Sequence, residues 1–413
     1  MPSISFTTAL SRTKPVTHFK HIVQHDKARA QKVLAGRCPM GPVGIQELRK
    51  RRHHHGHHST SGGTTGSAPL PSAPATSGDT IDVTDAAVTY TASVGVGNPV
   101  TQFTLLIDTG SSNTWVGAGK KYTPTSTSKS TRHTVNVSYG SGQFSGTEFT
   151  DTVDLGEDLV IQNQSIGVSS QAQGFNDVDG ILGIGPVDLT QGTVEGEGTI
   201  PTVTDNLLSQ GTISTESIGI FYQPTTDANL PNGELTFGGV DDSKVQGEVT
   251  FVPITSTSPA SNYWGIDQDV QYDGNTILSS SGIVDTGTTL VLIATDAFQA
   301  YQKATGGQMD QSTGLLTFTE QQFNNLQNLD FVIGGTTFSL TPNAQIWPRN
   351  LNSTLGGDAN KIYSIVSDLG NDSGTGLDFI NGFAFLQRFY SVYDTTNSQV
   401  GIAETEFTNA ETN

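Results

Sequence analysis

The chain of 413 residues has one cysteine, Cys38, and three each of tryptophan and methionine. A lone thiol cannot make an intrachain disulfide, and everything after it lacks a cysteine nucleophile or a cysteine-ligated metal. No run of about 18 apolar residues occurs, so no membrane span is expected. Met1–Leu10 has no basic stretch leading into an apolar one, so no signal peptide is visible. Helical periodicity is scarce. Asp205–Gln210, Ala294–Thr305 and Glu320–Leu329 read as short helices, with some helical content at His25–Leu34.

Positive charge is also scarce, and unevenly placed. Residues 1–60 hold 11 of the 20 Lys+Arg against 2 Asp+Glu, a net of about +9; the remainder holds 9 against 37, a net of −28. Eight of the nine His lie in the same head, leaving His133 beyond it. A body this acidic is not expected to bind nucleic acid. Head and body should attract near neutral pH. In acid the head gains charge through its imidazoles, but the attraction should weaken as the body carboxylates protonate. That is the electrostatics of a segment shed in acid.

What the chain has in abundance is Gly, Ser, Thr and short apolar runs of about four to eight residues between turn residues, the pattern of an all-β protein. Residues 1–52 read as a basic segment ending in the cluster Arg49-Lys50-Arg51-Arg52. Residues 53–80 read as a flexible linker, first His-rich and then Ser/Thr/Gly/Pro-rich. The His tract is read as flexible chain rather than as a metal site, and no metal or cofactor is expected. The body divides near Pro253 into 81–253 and 254–413. Asn-x-Ser/Thr sequons at Asn136, Asn163, Asn352 and Asn371 are compatible with secretion.

Two segments match each other. Leu105-Leu106-Ile107-Asp108-Thr109-Gly110-Ser111-Ser112 and Gly282-Ile283-Val284-Asp285-Thr286-Gly287-Thr288-Thr289 each run from an apolar strand into Asp-Thr-Gly and two hydroxyl residues, the two Asp lying 177 positions apart. A single Asp-Thr-Gly is ordinary turn chemistry. A duplicated one can bring two carboxylates together. Close carboxylates do not both ionise readily, so the pair offers an acid and a base at one place, as amide hydrolysis by water requires. Each half also carries a late apolar segment ending in Gly, Ile181-Leu182-Gly183 and Phe379-Ile380-Asn381-Gly382. Two such halves imply two β lobes with a cleft between them. Val135–Thr147, with Tyr139-Gly140-Ser141-Gly142 at its tip, reads as a mobile β-hairpin able to cover that cleft.

With these motifs in this order, the chain resembles the pepsin-like aspartic proteases over about residues 82–407. Asp108–Val116 and Ile283–Thr289 match the two catalytic motifs, Tyr139–Gly142 the flap, and Val178–Gly183 the segment behind the first Asp. Phe389–Asp394 and Val400–Ala403 match the closing strands. Within the family, segments 201–210, 254–265 and 343–352 bring it nearest to a secreted basidiomycete branch. The resemblance implies an all-β, two-lobed fold of barrel-like lobes and a secreted, monomeric, acid-active endopeptidase made as a zymogen. Its substrates would be proteins or peptides bound as extended strands, with bulky apolar residues around the cut.

Carried over by position, Asp108 and Asp285 would share a proton and activate water, and Ser111 and Thr288 would bond their outer oxygens. Thr109 and Thr286 would tie the two loops together. Tyr139 would close over the substrate with Trp115 behind it, and Gly110, Gly140, Ser141 and Gly287 would meet the substrate backbone. The resemblance also implies a basic pro-segment side chain at the dyad, for which Lys14 and Lys50 are the candidates. The chain departs from many relatives at Asn381, where an apolar residue is usual, and in lacking disulfides. A catalytically dead binding protein of this family would typically have lost an Asp or a neighbouring hydroxyl; here all are present.

Overall fold

In the apolar runs of this chain, side chains alternate across a pleat and β-branched residues suit it. The computed structural model builds them into a mostly β, two-lobed fold. It describes residues 21–35, 79–85, 90–139, 142–175, 178–224 and 231–413. Among these, strands form sheets of thirteen, seven and three members. The basic cluster at 49–52, the His-rich tract and the linker as far as residue 78 lie outside the described residues, as do Lys14, Lys50, Gly140 and Ser141; the last two linker positions, 79 and 80, instead begin the strand Asp79–Asp85, paired with Pro231–Phe237.

The two Asp-Thr-Gly segments are built alike, which is the duplication read from the sequence. Strand Thr101–Asp108 runs parallel to Gly180–Gly183, with Asp108 opposite Gly183, and Trp115–Val116 adds antiparallel on the other side of that short strand. In the second half, Asn275–Val284 runs parallel to Phe379–Asn381, and Val291–Ile293 adds antiparallel. Each short central strand is thus threaded between the strand leading into an Asp turn and the strand leaving it. Crowding there explains the glycines of the two segments. A Cβ on Gly183 would stand 2.6 Å from the Ser112 carbonyl carbon, and one on Gly382 would strike the carbonyl oxygens of Leu290 and Thr288.

An aspartate precedes each threaded strand, a parallel that the sequence reading passed over. Asp179 takes the amides of Thr104 and Lys120 on its two oxygens, both at 2.8 Å. Asp378 takes those of Gly374 at 2.7 Å and Thr375 at 3.0 Å. Each carboxylate satisfies backbone donors that the threading leaves without a ladder partner.

The halves are knitted by strands from both. Phe389–Asp394 pairs with Ser217–Tyr222 on one side and Gln399–Glu404 on the other, and Gln399–Glu404 pairs in turn with Gln246–Pro253. The first half also carries the hairpin, Lys129–Ser138 against Gln143–Asp154, closed by the Tyr139 amide donating to the Gly142 carbonyl at 2.7 Å.

Helices are few, as expected, with shifted ends. Val203–Ser209 begins at Thr202, whose hydroxyl and the Asp205 carboxylate cap each other's amides. Thr295–Thr305 stops at Gly306, which takes the left-handed conformation with φ 73°. The segment expected to be helical over 320–329 is helical only over Glu320–Asn324, and Leu329 starts a strand, Leu329–Ile333, inside a sheet. The sequon at Asn352 is also corrected. That residue is 1% exposed and donates both amide hydrogens, to the carbonyls of Asp358 and Lys361, so it is closed to a glycan in the folded state.

Glu234 on strand Pro231–Phe237 meets Asp241, in the connection to strand Gln246–Pro253, as a carboxyl pair. Burial first, and then the adjacent Asp241, push Glu234 up to about 7, with Lys244 at 3.4 Å only partly offsetting them. A carboxyl raised on folding contributes stability that is fully present below its unfolded value near 4.5 and is lost as pH rises through about 7. Thermal unfolding of Glu234→Gln, followed from acid to neutral pH, should show less loss of stability over this window than wild type.

Candidate active site

Both Asp-Thr-Gly aspartates are fully buried, and the turns that carry them meet. The Thr109 amide donates to the Thr286 hydroxyl and the Thr286 amide to the Thr109 hydroxyl, each at 2.9 Å. The Thr286 hydroxyl donates on to the Ile107 carbonyl at 3.1 Å. Each turn is therefore anchored to the strand that feeds the other, so the two carboxylates sit on one rigid unit.

Hydrogen bonds orient each carboxylate in matching fashion. Asp108 Oδ2 accepts from the Ser111 hydroxyl, and its Oδ1 from the Gly110 amide at 3.0 Å. Asp285 Oδ2 accepts from the Thr288 hydroxyl at 2.6 Å, and its Oδ1 from the Gly287 amide at 3.1 Å. The short central strand takes part as well, the Asp285 amide donating to the Asn381 carbonyl at 3.1 Å.

Tyr139, at the base of the hairpin tip, is buried. Burial, and after it the charge of Asp108, hold its phenol well above the ordinary value, so it is a neutral hydroxyl. Trp115 lies behind it with ring centroids 6.5 Å apart, stacked in turn on Phe144 at 4.2 Å. The structure thus brings together Asp108, Asp285, Thr109, Thr286, Ser111, Thr288, Gly110 and Gly287, with Tyr139 and Trp115 beside them. Gly140 and Ser141 fall outside the described residues.

A residue that the sequence reading missed fills the centre. Helix Ile22–Leu34 buries Ile22, Val23, Asp26, Arg29, Ala30 and Val33, largely one face of the helix. From that face Arg29 reaches both aspartates. Its Nε donates to Asp285 Oδ2 at 2.6 Å, and its Nη2 donates to Asp285 Oδ1 at 3.0 Å and to Asp108 Oδ1. The two lysine candidates, Lys14 and Lys50, lie outside the described residues; among the described residues the basic group bonded to the dyad is this guanidinium. An arginine suits the place because its planar fork can bond two carboxylates at once and does not lose its charge on burial.

The electrostatics follow from the contact. Burial alone would raise Asp285, but the charge and hydrogen bonds of Arg29, with those of Thr288 and Gly287, hold it below the ordinary carboxylate value. Burial likewise works against the Arg29 cation, and the two aspartates overcome it. The helix is held at its flank by Lys27 on Asp368 at 2.8 Å, and Lys32 stands over the Tyr139 ring, 5.0 Å from its centroid. The signal for Arg29 was present in the sequence as a basic residue on the apolar face of a helix inside the basic head.

Asn381, the departure noted above, proves to be matched. It is fully buried and exchanges hydrogen bonds with the Gln268 amide, giving at 2.9 Å and receiving at 3.3 Å. Replacing Asn381 alone by Leu should leave Gln268 with buried unpaired groups and cost roughly 1–3 kcal/mol. Replacing both by Leu should cost clearly less than the sum of the singles in denaturant unfolding, since the orphaned groups are then gone.

A family model described as eukaryotic aspartyl protease matches residues 89–405. Polyporopepsin of Irpex lacteus is 61% identical over 337 residues, spanning 81% of this chain and 99% of that protein. Pepsin A of Sus scrofa is 29% identical over 334 residues, spanning 76% and 80%. The crystal structure of an aspartic proteinase from Irpex lacteus superposes with a TM-score of 0.79 at 60% identity, over 81% of this chain and 99% of that one.

Proposed function

The chain belongs to the eukaryotic aspartyl protease family and is an aspartic endopeptidase, and on that premise we propose that it is a secreted, monomeric zymogen held latent by Arg29. Residues 1–52 are the pro-segment, 53–80 the linker, and 81–253 and 254–413 the two lobes. The observation that supports latency is the Arg29 guanidinium bonded to both aspartates. A group in that position occupies the point at which a scissile amide and its attacking water must meet.

Once the helix has left, the pair loses its counter-ion, and two buried carboxylates in contact retain one proton between them. The ionised aspartate takes a proton from water bound between Asp108 and Asp285, and the other gives its proton to the carbonyl oxygen of the amide. Attack forms a tetrahedral carbon with no covalent bond to the enzyme. Transfer of a proton to the nitrogen then lets the C–N bond break. Ser111 and Thr288 orient the carboxylates through their outer oxygens. Tyr139, with Gly140 and Ser141, closes over a substrate bound as an extended strand, while Gly110 and Gly287 allow its backbone to approach. Bulky apolar residues around the cut are favoured, and the work is done outside the cell. Among the described residues no helix is long and apolar enough to cross a membrane.

The sign of the pH dependence follows from Asp285. Docking of the helix lowers its value, so the stabilisation of the docked state is complete above the ordinary Asp range near 4 and is lost as pH falls through the depressed value. The intact chain should therefore be latent at neutral pH and cleave an unfolded protein only after acid exposure. Asp285→Asn should lower cleavage by about a thousandfold or more. Arg29→Ala should make the unprocessed chain active under mildly acidic conditions where wild type is latent. Cleavage by Asp285→Asn at the wild-type rate would refute the dyad mechanism, and unchanged latency of Arg29→Ala would refute the role of the arginine.

A further inference from the structure

The N-terminal helix meets the body at more than the dyad. Arg29 bonds the two aspartates, and Lys32 stands over the Tyr139 ring. Lys27 reaches a different wall, where its Nζ donates to Asp368 Oδ2 at 2.8 Å. Asp368 ends the strand Val366–Asp368, which runs parallel to Val291–Ile293, the strand that leaves the Asp285 turn. That wall is continuous with the turn bearing one of the two aspartates.

What Lys27 meets there is built by the body. Asp368 Oδ1 accepts from the Thr295 hydroxyl at 2.6 Å and from the Gly370 amide at 2.9 Å, so groups outside the head orient the carboxylate. Burial opposes its charge, and the hydrogen bonds of Lys27, Thr295 and Gly370 outweigh burial and hold the group below the ordinary carboxylate value. The side chain is 24% exposed even with the helix docked, which puts it at the surface rather than in the core. Gly370, with φ 100°, lies under the Lys27 stem: a Cβ added there would stand 3.9 Å from Lys27 Cδ. A positive φ favours glycine, so this floor stays bare. A bare floor for an alkyl stem and a fixed carboxylate for its tip suit a basic side chain.

We propose that Asp368 Oδ2 and the floor at Gly370 form a subsite of the processed enzyme for a Lys or Arg side chain of the substrate, filled by Lys27 in the intact chain. The proposal rests on reading the head as an inhibitory pro-segment that lies where substrate lies. Lys27 and Arg29 are two residues apart, a rise of about 3 Å along the helix. An extended substrate advances about 3.3 Å per residue, so the basic residue falls within about three positions of the scissile bond. A clamp on the helix would use Asp368 only while the head is present. A subsite uses it after the head has gone, and that difference is measurable.

The test takes processed enzyme near pH 5, above the ordinary aspartate range. Its substrates are quenched peptides with apolar residues at the cut and one lysine placed in turn at each of three positions on either side. Each is paired with the same peptide carrying acetyl-lysine, which keeps the stem and loses the charge. Wild type should prefer lysine by about fivefold in kcat/KM at one position. Asp368→Asn keeps an oxygen for Thr295 and Gly370 but loses the charge, and its ratio there should fall to about one. The ratio is internal to each enzyme, so lower overall activity does not obscure it, and Asp368→Ser serves should the Asn chain fold poorly. Ratios near one at every position in wild type, or a lysine preference kept by Asp368→Asn and Asp368→Ser, would overturn the subsite. Hydrolysis of the same peptides by the intact wild-type chain at neutral pH, before processing, would instead overturn the latency reading.

Discussion

Two buried carboxylates brought to one place need a compensating charge, and the geometry of this molecule turns on how that need is met. Asp108 and Asp285 are fully buried, and a single guanidinium supplied by residue 29 bonds them both. Burying one ion without its partner costs several kcal/mol, so the pair and the arginine stabilise each other strongly. The contact is as conditional as it is strong. It exists while the aspartates are ionised, and the chemistry proposed for them requires that one be protonated. The charge state that closes the site is therefore the one in which it cannot act.

The rest of the fold serves to hold two turns in register. Each Asp-Thr-Gly leaves a strand that flanks a short threaded strand, and the reciprocal Thr109–Thr286 bonds join the turns across the lobes. Asp179 and Asp378 satisfy the amides that the threading strands, and Gly183 and Gly382 make room for it. The pairing of Phe389–Asp394 with Ser217–Tyr222, inside the thirteen-stranded sheet, keeps the halves together. With no disulfide available, this rigidity comes from backbone hydrogen bonds and packed cores alone.

Much of this was legible in the sequence, because the duplicated motif is local. An apolar strand, a turn and a hydroxyl residue three positions after each Asp are all read from neighbours in the chain. Contacts made across long separations were not. Arg29 lies 79 and 256 positions from its two partners, and nothing in its immediate neighbours names them. Asn381 looked like an isolated polar intrusion because its match, Gln268, is 113 positions away. The helix expected over 320–329 ended early for a similar reason, Leu329 being claimed by a sheet whose partner strand begins at Thr336. Tertiary pairing overrode local pattern there.

The charge balance at the dyad can be observed directly. Infrared difference spectra between the intact chain and the chain whose head has been removed by an added protease, both near pH 5, report protonated carboxyl groups through their C=O stretch. Removal of the head should produce a new protonated-carboxyl band in wild type that is absent from Asp285→Asn, as the pair takes up the proton that Arg29 had kept away. No new band, or one of equal size in Asp285→Asn, would contradict the claim that the arginine holds the two aspartates in their ionised, inactive state.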